Sequence, residues 1–128
     1  MSKATNSRIT FLQRGAVAIE FAIIVPALLL FVLGIMDTGR LLWTYTTVYR
    51  ASEAAARCFA ILAPTCTTAV AAQSYAVTQA WGLPIAPAAF AVTSQACGAR
   101  VIATYGFQFV IPWLSNSITL TATACYPI

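Results

Sequence analysis

From residue 16 to residue 36 the chain is apolar at every position but Glu20, and polar or charged residues close it off on both sides. As a helix these residues rise about 31 Å, the hydrocarbon thickness of a bilayer, so the pattern predicts a membrane span over residues 16–36. Apolar positions then recur at helical spacing. Leu41, Leu42, Tyr45, Val48 and Tyr49 form a stripe that continues the helix as a stalk over residues 37–63, up to Pro64. Thr68 is placed to cap a short helix from Ala69 to Trp81, with Val70, Val77 and Trp81 on one side and Gly82, Pro84 and Pro87 ending it. Beyond Pro87 the period falls to two. Phe90, Val92, Ser94 and Ala96 share a face, as do Val101, Ala103, Tyr105, Phe107 and Phe109, and then Ile118, Leu120, Ala122 and Ala124. Three antiparallel strands are expected, joined at Cys97-Gly98-Ala99 and across Pro112 to Asn116, and their apolar face needs the stalk and the short helix as cover. The fold class is α+β: a long N-terminal transmembrane and stalk helix packed on a small three-stranded antiparallel sheet, with one short extra helix in a head over residues 64–128.

The flanks set an orientation. Residues 1–15 form a basic leader with Lys3, Arg8 and Arg14 and no acid. Cationic flanks stay in the cytoplasm, so the N-terminus is expected inside and the head outside. The apolar run is longer than the core of a secretory leader and ends in Asp37-Thr-Gly-Arg40. An uncleaved signal anchor is the plain reading of this much. Pro26 removes one backbone hydrogen bond inside the span and is expected to kink or loosen it. Ala18 and Ala22 form a small-xxx-small pair that permits close helix approach. Trp43 suits an interfacial anchor.

Composition narrows the function. The chain is 60% hydrophobic and 8% charged, far from the soluble norm, and its +4 charge is too dispersed for nucleic acid. It has no histidine, and after Glu53 no acid, so the head offers no ordinary general base and an enzyme is not expected. The four cysteines, Cys58, Cys66, Cys97 and Cys125, all follow the span and are expected in an oxidising compartment. Three pairings are open. The strand reading favours Cys97 with Cys125, which end the first and third strands at the same end of the sheet and on one face, leaving Cys58 with Cys66. With no CxxC pair and no histidine, neither a zinc site nor a catalytic dithiol is supported, and no metal or cofactor is expected. The charges Asp37 and Arg40, and Arg50, Glu53 and Arg57, are spaced so that they can pair along the stalk, but a solvated face is the favoured reading.

One stretch carries a family resemblance. Gly15, four residues, Glu20 and the aromatic Phe21 resemble the type IV prepilin processing motif, which a prepilin peptidase cuts after the glycine. The wider stretch, Arg14-Gly-Ala-Val-Ala-Ile-Glu-Phe-Ala through Pro26, Gly34-Ile-Met-Asp37-Thr-Gly-Arg40 and Ala54-Ala-Ala-Arg57, is similar to TadE-like pseudopilins of the tight-adherence (Flp) pilus systems. Ala55 stands where the family pattern has a glycine. The resemblance implies cleavage between Gly15 and Ala16 in a bacterial inner membrane. It also implies that Glu20 pairs with the new N-terminal amine of a neighbouring subunit, with Phe21 in the same assembly helix. Expected partners are then the membrane, the peptidase, other pilin subunits and pilus assembly proteins, with incorporation into a surface pilus. A second reading is an uncleaved anchored module that binds a ligand through Trp113 and the threonine-rich last strand.

Overall fold

The computed structural model describes residues 3–111 and 117–128. The expected strand connection at Pro112 to Asn116, and Trp113 with it, lies outside the described residues. The chain divides into two compact units, Met1–Met36 and Asp37–Ile128.

The first unit is helical. Helix α1 runs Lys3–Ala60 and passes unbroken through Pro26, so it begins inside the basic leader. Among the described residues most of its apolar side chains are exposed: Phe21 is 66% exposed, and Ile23, Leu28, Phe31 and Ile35 are exposed too. From Val17 onward the helix is long and apolar enough to cross a membrane.

The second unit holds the rest of α1 and a small head. Helix α2 spans Ala69–Gln79 and a 3-10 turn covers Pro87–Ala89; β1 is Phe90–Gln95, β2 Gly98–Gln108 and β3 Ser117–Tyr126. The strands form one antiparallel sheet in the order β1-β2-β3, with Phe90 opposite Ala103, and Ala103 opposite Ala122. Period two puts Phe90, Val101, Ala103, Phe107, Ala122 and Ala124 on one buried face, as the alternation requires. β1 and β2 are joined at Ala96-Cys97 and Gly98 already pairs with Gln95, so the turn sits one residue earlier than expected.

That face rests on α1, but on a different side of it from the one the large apolar residues mark. Val48, Ala51, Ala55 and Ala56 join Phe90, Val101 and Ala122 in the core, and Thr44 and Ser52 are buried in the same seam. Of the expected stripe only Val48 is buried and Leu41 half-buried; Leu42, Tyr45 and Tyr49 face out. A sheet comes closest to a helix over small side chains. Ser52 tolerates burial there because its hydroxyl donates to the Val48 carbonyl at 2.9 Å, one turn back.

Two helix ends also differ from expectation. α1 stops at Ala60 rather than Ala63. Leu62 takes a left-handed backbone (φ 48°), the Ala63 amide donates to the Cys58 carbonyl, and the Leu62 amide donates to the Phe59 carbonyl. This paired closure satisfies the last carbonyls of the helix just before Pro64. α2 starts as expected, with the Thr68 hydroxyl accepting from the Ala71 amide at 3.2 Å, but it ends at Gln79 and buries Ala72 and Ala76. Val70 and Trp81 point away, Trp81 being 76% exposed. Val77, the third member of the expected side, is half-buried and packs on the core beside Ala76.

Candidate assembly site

The residues singled out at the start of the apolar stretch lie on consecutive turns of one helix. The Gly15–Ala16 peptide bond is inside α1, and a β-carbon at Gly15 would meet nothing within 4 Å. Glu20 lies one turn beyond Ala16, exposed, and among the described residues it makes no hydrogen bond or ion pair; Phe21 beside it is exposed as well. An exposed carboxylate on a helix that is otherwise apolar leaves two physical resolutions. Either a cation from outside the chain meets it, or it reaches a polar layer by its own length. Glycine at the preceding turn makes the backbone there easier to open than alanine by about 1 kcal/mol.

Asp37, the first residue past the apolar run, has a structural role that the sequence pattern hid. Read as half of a surface pair, it is 3% exposed. Its carboxylate accepts from the Val110 amide at 3.0 Å and the Ile111 amide at 3.2 Å, and Arg40 lies 3.1 Å away. Arg40 is half-exposed and also lies over the Phe107 ring, 5.4 Å from its centre. The backbone just after β2 is thereby tied to the first turn of α1 in this unit. The surface-face reading fails at Asp37 because a buried carboxylate is stabilised by several donors at once. Asp37→Asn keeps the shape but replaces an ionised acceptor by a neutral amide. The expected loss is about 1.5 to 3 kcal/mol of head stability, measurable by thermal melting of the full chain in detergent micelles.

The other stalk charges behave differently. Arg50, Glu53 and Arg57 are exposed, and among the described residues none of them is in an ion pair. The described residues also hold no cluster of His, Cys, Asp or Glu able to bind a metal ion. All four cysteines are bridged. Cys58 joins Cys66 with Cα atoms 5.7 Å apart, and Cys97 joins Cys125 at 6.3 Å. Cys66 is fully buried, with Cys58 and Ala72 around it, so the first bridge fastens α2 to the end of α1.

A stretch that starts at an exposed glycine, carries one acid in a membrane-length helix and ends on a small-residue seam under a disulfide-bonded sheet has a counterpart among known families. The family model for TadE-like protein matches residues 15–57. No curated protein and no solved structure matches the chain. The TadE-like stretch begins at Gly15 and closes at Arg57, one residue before the first bridged cysteine. It takes in both parts of α1: the exposed apolar turns around Glu20, and the turns from Val48 to Ala56 that carry the sheet. At Ala55, wholly buried in that seam, a methyl group is accommodated. The TadE-like match suggests a pilus-associated component, and the single apolar helix suggests membrane anchoring.

Proposed function

We propose that the chain is a minor pilin-like subunit for a tight-adherence pilus, made as a precursor and cut by a prepilin peptidase between Gly15 and Ala16. The observation that carries this reading is the match at residues 15–57 to TadE-like protein, on a helix whose apolar side chains from Val17 to Met36 are mostly exposed among the described residues. Residues 1–15 are the leader, residues 16–36 the membrane and assembly helix, residues 37–63 the stalk, and residues 64–128 the extracytoplasmic head. Lys3, Arg8 and Arg14 hold the leader in the cytoplasm, and the bridged cysteines belong to the oxidising side.

The mechanism is differential burial of charge. In the precursor, Glu20 faces lipid or headgroups without a cation. Cleavage creates an amine at Ala16, one turn away on the same face, and an identical amine on each neighbouring subunit. Two opposite charges that are costly singly in a low-dielectric bundle relieve each other when they meet, so Glu20 sets the axial register in which helices associate. Phe21 and the small pair Ala18 and Ala22 fill the contacts around that pair. Trp43 holds the stalk at the membrane surface until the subunit is extracted.

Glu20→Gln separates this role from anchoring. The variant is expected to insert, fold and lose its leader normally while pili on the cell surface fall to the level of a deletion strain. Piliation at the unmodified level, counted by electron microscopy, would contradict the register role.

A further inference from the structure

The assembly reading leaves Arg57 and the outer edge of β3 without a task, and the structure places the two together. In a sheet ordered β1-β2-β3 both outer strands have, among the described residues, an unpaired side. β1 has α2 packed against it. β3 carries none of the usual protections along its length: Ser117–Tyr126 has no charged residue and no proline, and it pairs with β2 in one continuous register without a bulge. At alternate residues its backbone N–H and C=O groups point away from β2, which makes the edge a template for another strand.

A groove of about 440 Å³ runs beside this edge. Tyr49, Arg50 and Arg57 of α1 line one wall and Thr123, Ala124 and Tyr126 of β3 the other, and no β2 residue reaches it, so it follows the free side of the sheet. Glu53 lies on the same wall between the two arginines, leaving one net positive charge. Neither arginine is in an ion pair among the described residues.

We propose that this groove binds an extended acidic segment of another protein chain, which adds to β3 as a fourth strand and places a carboxylate against Arg50 and Arg57. Backbone hydrogen bonds supply the sequence-tolerant part of the recognition, and the arginines supply the charge selection. A second copy of this chain does not fit the chemistry: its outer strands β1 and β3, the ones with a free side to offer, carry no acid to meet Arg50 and Arg57. The site is formed by the stalk turns of α1 and β3 and does not depend on processing at Gly15.

The test uses the full chain in detergent micelles and a fluorescent ten-residue probe of alternating threonine and valine with an aspartate at each end, so that either strand polarity brings an acid to the arginines. Saturable binding is expected, with slowed hydrogen exchange at β3 amides. Exchanging both aspartates for lysine, or changing Arg57→Glu, is expected to weaken binding at least about tenfold, while Arg57→Lys retains most of it. N-methylation of one alternate set of probe amides abolishes binding and of the other set does not, because only one set faces β3. The probe arms leave the protein unaltered, so they stand even if an arginine variant folds poorly. Absent binding, binding indifferent to the probe's charge, protection outside β3, or self-association of the chain through β3 would each overturn the proposal.

Discussion

Gly98→Ala is expected to unfold the head at temperatures where the unmodified protein is stable. Gly98 has φ +112°, a region that side-chain-bearing residues rarely enter, and it opens β2 directly after the Ala96-Cys97 turn. A β-carbon there would run into the Tyr126 carbonyl oxygen and lie 2.8 Å from the Pro127 Cα and 2.9 Å from the Tyr126 carbonyl carbon. These are backbone atoms at the end of β3. Moving them disturbs the pairing of Ala99 with Tyr126 and the Cys97–Cys125 bridge together. Backbone strain and overlap together are expected to cost on the order of 3 to 5 kcal/mol, among the larger effects of a single substitution. At roughly 4 to 8 °C per kcal/mol for a domain of this size, the melting midpoint falls by at least about 12 °C. Gly106→Ala is the matched control, since nothing lies within 4 Å of its β-carbon position, and its effect is expected to stay within about 0.5 kcal/mol. Equal melting of the two variants would remove the argument from close approach.

Loss of the Cys97–Cys125 bridge is expected to weaken the head more than loss of Cys58–Cys66. The first closes a sequence separation of 28 and the second a separation of 8. In the chain-entropy model these correspond to about 3.6 and about 2.5 kcal/mol, because a longer loop restricts the unfolded chain more. Paired Cys-to-Ser replacement of each bridge, followed by thermal melting in the same micelles, gives the order. The contest is not purely entropic. Cys66 is fully buried, so a serine there places a hydroxyl against Ala72 and its neighbours and adds to the cost of removing the short bridge. A greater loss from the short bridge would show that packing around Cys66 outweighs loop closure. Both replacements leave the apolar turns of α1 untouched, so membrane insertion is expected to be unchanged.

The parts of the fold legible in the sequence are those where one residue type implies one environment. In the strands, alternation separates a buried from a solvated face, and Phe90, Val101, Ala103, Phe107, Ala122 and Ala124 fall inside as the period requires. Along α1 the same logic misleads. Its largest apolar side chains past the span, Leu42, Trp43, Tyr45 and Tyr49, are outside, while the contact with the sheet is made by Thr44, Val48, Ala51, Ser52, Ala55 and Ala56. Size and hydrophobicity alone do not mark the core face: here the buried side of the helix is lined mainly by small residues. Asp37 was illegible for another reason. Its neighbour Arg40 explains it locally, and nothing in the spacing announces amides 73 and 74 residues away. A lone acid at the very border of an apolar run was the available signal. At the processing and assembly residues the balance is reversed: Gly15, Glu20 and Phe21 stood out as a motif by resemblance, whereas three-dimensional geometry adds only that they share one exposed helix.

The proposed function requires that the chain is a precursor cut after Gly15. Intact-mass measurement of the protein purified from host cells that contain the matching prepilin peptidase addresses it directly. The account predicts a single species that begins at Ala16 and keeps both disulfides. A mass that retains residues 1–15 would contradict it and leave a permanently anchored protein in its place.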